Sequence, residues 1–209
     1  MFLMEKFEEL PIVGIVRNMK ADDFERILPL YIQAGFTTIE VTMNTAGAEA
    51  MIKKAKNDFG NSIHIGAGTV CTMNDLQKAL EVGADFIVTP IVDKNVIEKC
   101  VATKIPVFPG AFSPTEIYTA WSLGASMVKV FPISQLGPAY IQSIKAPFPQ
   151  IKLMPTGGVG LEDIKNYKDA GASAFGIGSP MFPSSLIKTL NEMDIFNYFK
   201  SFREKWEQC

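Results

Sequence analysis

Short apolar runs alternate along the chain with longer segments in which apolar residues recur every three or four positions. Eight of the short runs are nearly continuous in apolar, often β-branched residues, which is typical of strands buried on both faces of a parallel sheet. This pattern predicts strands over residues 11–17, 38–43, 64–69, 85–90, 106–110, 127–131, 152–156 and 174–178.

The longer segments between these runs have the spacing of amphipathic helices. We predict helices over residues 21–33, 74–82, 94–102, 116–122 and 161–170, with one more helix near each end of the chain. An N-cap side chain accepts a hydrogen bond from the first helical turn. The candidates for this role are Asp22, Asn74, Asp93 and Ser113.

Four helix ends are followed by a glycine, at Gly35, Gly83, Gly124 and Gly171. Glycine takes the left-handed cap conformation that other residues resist. The spacings of 48, 41 and 47 residues correspond to about two βα units each. Eight strands and at least seven helices therefore predict a single-domain α/β protein, a (β/α)₈ TIM barrel over residues 1–209. An open doubly wound sheet is the alternative, but residues 18–21 carry no dinucleotide fingerprint.

Charge and composition exclude several classes of function. The chain has 20 Lys and Arg against 22 Asp and Glu, so it lacks the basic excess of nucleic-acid or membrane-surface proteins. Its single histidine, His64, makes a zinc site or a Ser-His nucleophile a poor prediction, and we expect that residue to be packed or partly exposed rather than catalytic. The three cysteines form no C-x-x-C pair, which favours a cytoplasmic protein.

No targeting or membrane segment is expected. Residues 1–10 are acidic and lack a long apolar run, unlike a signal peptide. The longest stretch without charge, residues 170–187, contains three Gly, two Pro and four Ser, which predicts strand and loop rather than a membrane helix.

In a barrel, the active site lies where the strands end at their carboxyl termini. Arg17, Glu40 and Lys129 occupy such positions. Burial of Lys129 in an apolar strand would favour its neutral amine, which can attack a ketone to form a Schiff base. Burial of Glu40 would raise its pKa toward a range useful for proton transfer. From the residues alone, Lys129 extending to solvent and Glu40 pairing with Arg17 remain alternatives.

Two glycine segments follow the seventh and eighth predicted strands. They are Pro155-Thr-Gly-Gly-Val159 and Gly176-Ile-Gly-Ser179. Exposed backbone N–H groups at these positions of a barrel predict a phosphate site.

In order and in spacing, residues 10–182 resemble the 2-keto-3-deoxy-6-phosphogluconate (KDPG) aldolase family, which is also named for 4-hydroxy-2-oxoglutarate (KHG). The segments that carry the resemblance are Gly14-Ile-Val-Arg17, Ile39-Glu-Val-Thr42, Gly66-Ala-Gly-Thr69, Val88-Thr-Pro90, Phe108-Pro-Gly110, Val128-Lys-Val-Phe-Pro132, Pro155-Thr-Gly-Gly158 and Gly176-Ile-Gly-Ser179. Together they favour the catalytic interpretation of Lys129 and Glu40.

The resemblance implies a class I aldolase without a metal or other cofactor, in which Lys129 forms the Schiff base and Glu40 transfers protons. It also implies a phosphorylated 2-keto-3-deoxy sugar acid as substrate and a homotrimer as the assembly. Gly157, Gly158 and Ser179 would hold the phosphate. The implied substrate-binding positions are Arg17, Thr69, Pro90, Phe131, Thr156, Gly157, Gly158, Gly178 and Ser179.

Two positions point to different substrates within the family. Asn44 and the stretch at residues 135–140 are similar to the 2-keto-3-deoxy-6-phosphogalactonate branch, whereas Thr156 is similar to the gluconate branch. We therefore expect cleavage of KDPG, with the galactonate epimer as the alternative and KHG as a further substrate. A phosphate-binding isomerase or epimerase, or a sensor without activity, shares the glycine sites and stays open on the fold alone.

Overall fold

The computed structural model of the protein describes residues 2–189 and 191–209. Its described strands are all parallel and short. Six of them form one sheet in the order β5-β4-β3-β2-β1-β9, and three form a second sheet in the order β6-β7-β8. The strands are β1 Ile12–Val16, β2 Thr38–Thr42, β3 His64–Gly68, β4 Ile87–Val88, β5 Val107–Phe108, β6 Gly110–Ala111, β7 Val128–Val130, β8 Leu153–Pro155 and β9 Phe175–Ile177.

The two sheets curl into one barrel. A bridge between Thr156 and Gly176 joins β8 to β9. On the other side, Pro109 separates β5 from β6, because proline has no N–H to donate to a strand ladder. Its carbonyl still accepts the N–H of Lys129 at 2.9 Å. The predicted (β/α)₈ barrel and its eight strands are thus confirmed, although the strands are shorter and the fifth is divided in two.

Helices follow the strands around the outside of the barrel. The predicted helices over 21–33 and 94–102 are found with these bounds, and the one over 161–170 consists of a 3₁₀ turn, Leu161–Asp163, followed by α8. The α-helices are α1 Met4–Glu9, α2 Ala21–Gln33, α3 Ala48–Phe59, α4 Met73–Glu81, α5 Lys94–Ala102, α6 Pro114–Ser122, α7 Pro138–Lys145, α8 Ile164–Asp169, α9 Ser184–Ile187 and α10 Glu192–Glu207.

Two of the four predicted N-caps are confirmed. Asp93 and Ser113 accept hydrogen bonds from the first turns of α5 and α6. The prediction for Asp22 is wrong, because Lys20 precedes α2 and Asp22 lies inside its acidic first turn. The prediction for Asn74 is also wrong. Thr72 caps α4 in its place.

All four predicted helix-ending glycines have the left-handed conformation. The φ angles are 95° at Gly35, 82° at Gly83, 95° at Gly124 and 97° at Gly171. These glycines end four helices sharply, so each chain segment turns back toward the next strand.

The amino-terminal end of the barrel is closed by α1 and an aromatic cluster. Phe7, Phe86 and Phe108 are fully buried there. The single histidine belongs to this end: His64 is packed as predicted, and its Nε2 accepts the N–H of Leu3 at 3.2 Å. Among the described residues, no helix combines the length and apolar character required to cross a bilayer.

Candidate active site

A cavity of about 290 Å³ opens where the strands end at their carboxyl termini. Every site residue predicted from the sequence lines it, although these residues are spread over most of the chain. They are Arg17, Glu40, Thr69, Pro90, Lys129, Phe131, Thr156, Gly157, Gly158, Gly178 and Ser179.

Lys129 is the central residue of β7, a three-residue strand that is buried throughout. The side chain is buried with a relative exposure of 7%, and Nζ lies 4.9 Å from the centroid of the Phe131 ring. Burial lowers the pKa of Lys129, and the negative charge of Glu40 opposes this shift only in part. Lys129 therefore loses its proton more readily than an exposed lysine and gives the neutral amine that imine formation requires.

Glu40 extends from the middle of β2, where its neighbours in register are Ile15 on β1 and Gly66 on β3. The residue is 1% exposed, and neither carboxyl oxygen has a hydrogen-bond partner among the described residues. The described structure therefore lacks the direct ion pair between Glu40 and Arg17 that was the alternative. Burial raises the pKa of Glu40, while the charges of Lys129 and Arg17 act in the opposite direction. A carboxyl group whose pKa is raised in this way is a better proton carrier than an exposed glutamate.

Two polar side chains stand at the mouth of the cavity. Arg17 follows β1 and is exposed, and Thr69 follows β3. Thr69 has a φ of 57°, a left-handed conformation that residues other than glycine adopt at a cost. Costly backbone conformations of this kind are concentrated at binding sites.

The glycine segment after β8 presents backbone N–H groups to the cavity. Gly157 and Gly158 have φ angles of 87° and 92°, and both line the cavity. The loop after β7 is fixed beside them by hydrogen bonds from Ile133 N–H to the Thr156 carbonyl at 2.9 Å and from Ser134 N–H to the Gly157 carbonyl at 3.0 Å. Consecutive N–H groups in such turns form a concave site for an anion.

The second glycine segment completes this part of the cavity. Gly178 and Ser179 follow β9, and the backbone bridge between Thr156 and Gly176 brings the two segments together. Among the described residues, the N–H groups of Gly158, Gly178 and Ser179 donate no hydrogen bond in the turns and loops. They are available to the oxygens of a phosphate.

The cavity has three further lining residues, Ile15, Thr42 and Pro180. Thr42 is the last residue of β2, so its position at a strand end is a signal visible in the sequence. Pro180 directly follows Ser179. Ile15 lies within β1 and had no chemical signal, because aliphatic residues of buried strands look alike in a sequence.

A barrel that holds a buried amine and a buried carboxyl in the same cavity as turns able to bind an anion is typical of a Schiff-base lyase for a phosphorylated ketone. Comparison with known proteins agrees. The family model "KDPG and KHG aldolase" matches residues 3–198. This chain belongs to the KDPG and KHG aldolase family, and it is an aldolase of class I.

Relatives of known function support this assignment. The chain is 32% identical to the 2-dehydro-3-deoxy-6-phosphogalactonate aldolase of Escherichia coli, over 94% of this chain and 96% of that protein. A solved structure described as native KDPGal matches with a TM-score of 0.88 at 30% identity, covering 95% of each chain. A KDPG aldolase from Legionella pneumophila, with pyruvate captured at low pH as a covalent carbinolamine, matches with a TM-score of 0.84 at 26% identity over 94% and 96% of the chains.

Proposed function

We propose that this aldolase cleaves KDPG to pyruvate and glyceraldehyde 3-phosphate, with Lys129 as the imine-forming residue and Glu40 as the proton carrier. The observation that carries the proposal is the shared cavity. A buried amine and a buried carboxyl without a hydrogen-bond partner face the same space as the glycine turns that can hold a phosphate.

The reaction begins with addition of the neutral Lys129 amine to C2 of the keto acid, which gives a carbinolamine. Loss of water then gives an iminium ion that withdraws electrons from C3. Glu40, directly or through a water molecule, removes the proton of the C4 hydroxyl. The C3–C4 bond breaks, its electron pair moves into the enamine, and the aldehyde phosphate leaves.

The second half returns the protein to its starting state. The enamine takes a proton at C3, and addition of water to the resulting iminium releases pyruvate and the free amine of Lys129. The proton that Glu40 gained can be returned at this stage, so one group serves as base and then as acid. Proton transfer by a positioned side chain is typically worth about 10²–10⁴-fold in rate.

The rest of the cavity binds and orients the substrate. In this proposal, Arg17 and Thr69 contact substrate oxygens at the mouth of the cavity that they line. Gly157, Gly158 and Ser179 contact the phosphate. The Phe131 ring beside Nζ, with Pro90 and Thr156, shapes the pocket around the imine and limits water near it. Gly178 leaves room for the phosphate end of the substrate.

The galactonate epimer is the second candidate substrate. The gluconate branch of the family usually has an arginine at the position of Asn44, which lies in the turn after β2. The E. coli galactonate enzyme aligns over nearly all of both chains. Replacing arginine by asparagine removes a charge and a bidentate contact to an anionic substrate. KHG, which has no phosphate, is the third candidate and would leave the glycine turns unused.

The assay that decides among these substrates measures pyruvate release from the gluconate and galactonate phospho-substrates and from KHG, side by side with one enzyme preparation. We expect at least one of the two phosphorylated substrates to be cleaved with a higher kcat/KM than KHG. Higher kcat/KM on KHG would contradict the proposed phosphate site.

The imine is tested by borohydride reduction in the presence of pyruvate. We expect one covalent adduct per chain at Lys129, and none in Lys129→Met. Lys152→Met is the matched control, because Lys152 lies at the opposite end of the barrel, where it pairs with Glu8 at 2.7 Å. Turnover of a ketose phosphate without any adduct would identify an isomerase or epimerase, and thermal stabilisation by phosphorylated ligands without product would identify a sensor.

Assembly and location are also part of the proposal. We infer a homotrimer from the family resemblance, and the exposed apolar side chains of Ile91 and Phe112 near the rim give it a surface to use. Light scattering should give three times the chain mass of 23.0 kDa. We place the protein in the cytoplasm, supported by three cysteines that are all free among the described residues. Recovery of the native protein in a membrane or secreted fraction would contradict this location.

A further inference from the structure

Two buried threonine hydroxyls join the loops that follow β1 and β2, and the proposed chemistry does not use them. Thr42 is the last residue of β2, and Thr45 lies in the turn before α3. They are 2% and 3% exposed, and their hydroxyl oxygens are 2.9 Å apart. Each of them also bonds the backbone at the end of β1.

The donors and acceptors of these hydrogen bonds form one directed chain. Thr42 Oγ1 donates to the Val16 carbonyl at 3.3 Å, and Asn18 N–H donates to Thr45 Oγ1 at 3.0 Å. A hydroxyl has a single proton to donate. Because the Thr42 proton is engaged at Val16, the proton between the two hydroxyls belongs to Thr45. We call this chain, from Asn18 through Thr45 and Thr42 to Val16, the threonine relay.

The threonine relay holds the backbone on both sides of Arg17. One end of the relay is the carbonyl before this residue, and the other is the N–H after it. Asn18 has a φ of 54°, which a residue other than glycine keeps only when surrounding contacts hold it there. The Arg17 side chain is exposed at the mouth of the cavity and has no ion pair among the described residues. Its direction therefore depends on the backbone from which it extends.

We propose that Thr45 is a positioning residue that, through the threonine relay, directs the Arg17 guanidinium toward the oxygens of the bound keto acid. The inference rests on the proposed function, in which Arg17 binds the substrate. Thr45 itself does not line the cavity and touches no reacting atom.

The test replaces the hydroxyl of Thr45 while keeping the shape of the side chain. Thr45→Val leaves Asn18 N–H without its acceptor and Thr42 Oγ1 without its donor, so the loop that carries Arg17 loses its restraint. Lys129 and Glu40 are untouched. In borohydride trapping, we expect half-saturation to require about tenfold more pyruvate, as for the loss of one hydrogen bond to a charged group. The limiting trapping rate should stay within about twofold.

Three variants separate positioning from general support of the fold. Thr45→Ser retains the relay and should restore pyruvate binding. Thr38→Val removes a comparable buried hydroxyl, which donates to the Ile12 carbonyl at 2.9 Å at the opposite end of the same two strands, and should leave half-saturation unchanged. In an Arg17→Met background, Thr45→Val should add no further loss. Thr45→Cys replaces the valine variant if the latter does not fold.

The outcomes distinguish this inference from the proposed function. If the wild-type protein is trapped by pyruvate and borohydride, but Thr45→Val binds pyruvate like Thr38→Val, the positioning role is wrong and the aldolase proposal stands. If Thr45→Val lowers the limiting rate and leaves half-saturation unchanged, the role is wrong as well. If the wild-type protein is not trapped at all, the aldolase proposal fails, and the inference fails with it.

Discussion

The carboxyl group of Glu40 fills the space that a side chain at Gly68 would need. A Cβ atom at Gly68 would lie closer to Oε1 of Glu40 than such atoms approach in proteins. Gly68 and Glu40 lie on adjacent strands, β3 and β2, and the missing side chain on one strand gives the other strand room for a buried acid. The position of the proposed proton carrier therefore depends on a glycine that has no chemistry of its own.

Gly68→Ala should displace the Glu40 carboxyl and lower turnover by about a hundredfold, the effect expected when a catalytic group moves by about 1 Å. Gly160→Ala is the control, because a Cβ there would meet only atoms at 3.5 Å or more, and its φ of −117° suits any residue. Steady-state pyruvate release measures both. Equal activity in the two variants would show that Glu40 tolerates the methyl group or is not needed.

Lys129→Met should abolish activity and raise the melting temperature by a few degrees. The pKa of Lys129 is lowered in the folded protein chiefly by burial, so protonation of Lys129 is less favourable in the folded than in the unfolded chain and costs stability. This cost is complete below the folded pKa, declines as the pH rises from the folded toward the unfolded pKa, and is absent above the unfolded pKa. The increase in melting temperature caused by Lys129→Met should therefore be larger at pH 7 than at pH 10. A variant that melts several degrees lower at both pH values would contradict this account.

Glu40→Gln should shift imine formation to lower pH. The Glu40 charge raises the pKa of Lys129 against the larger effect of burial, so its removal lowers that pKa further. Since the neutral amine is the nucleophile, the pH of half-maximal borohydride trapping should fall, while turnover decreases by about 10²–10⁴-fold. Glu98→Gln, on the surface of α5 where Glu98 lies 3.7 Å from Lys94, should change neither quantity. A shift to higher pH in Glu40→Gln would be the opposite of this expectation.

Ser179→Ala should weaken binding of phosphorylated substrates only. Loss of one hydroxyl donor to a phosphate oxygen predicts a KM about tenfold higher for the phospho-substrates, with the KM for KHG unchanged. Ser173→Ala is the matched control, because Ser173 precedes the amino-terminal end of β9. The proposed phosphate site would be wrong if Ser179→Ala affected KHG and the phospho-substrates equally.

His64 should make the protein less stable in mild acid. Burial lowers the pKa of His64, with Asp85 acting against this shift, so the unfolded chain takes up a proton at a higher pH than the folded one. The stability that depends on neutral His64 is complete above its unfolded pKa of about 6.5 and is lost as the pH falls through and below that value. The free energy of unfolding, measured in urea, should decrease less from pH 8 to pH 5.5 in His64→Gln than in the wild-type protein. An equal or larger decrease in the variant would contradict this.

The features that the sequence could predict are those set by short-range patterns. Continuous apolar runs marked the strands, and the four glycines marked helix ends, because both signals act within a few residues. The positions of the site residues could be predicted because every strand of a parallel barrel ends at the same rim. The roles of Lys129 and Glu40 were predicted from the family resemblance.

The errors arose where two local signals compete or where distant residues meet. Thr72 and Asn74 are both good N-cap residues. Thr72 caps α4 because Asp75 accepts a hydrogen bond from the Thr72 backbone, and this capping box is visible in the sequence as Thr-x-x-Asp. The break at Pro109 followed from its missing N–H. The threonine relay had no signal, since a hydrogen bond from Asn18 to Thr45 joins residues 27 positions apart.

Because the amino-terminal end of the barrel is closed, the described part of the barrel opens to solvent at its carboxyl-terminal rim. With Phe7, Phe86 and Phe108 sealing the floor beneath Lys129, the described walls leave the rim as the passage to solvent. The water released when the imine forms and the water consumed when it is hydrolysed must then cross the same mouth that the substrate occupies. Departure of the aldehyde phosphate therefore does two things at once, because it ends the cleavage step and admits the water molecule that frees pyruvate.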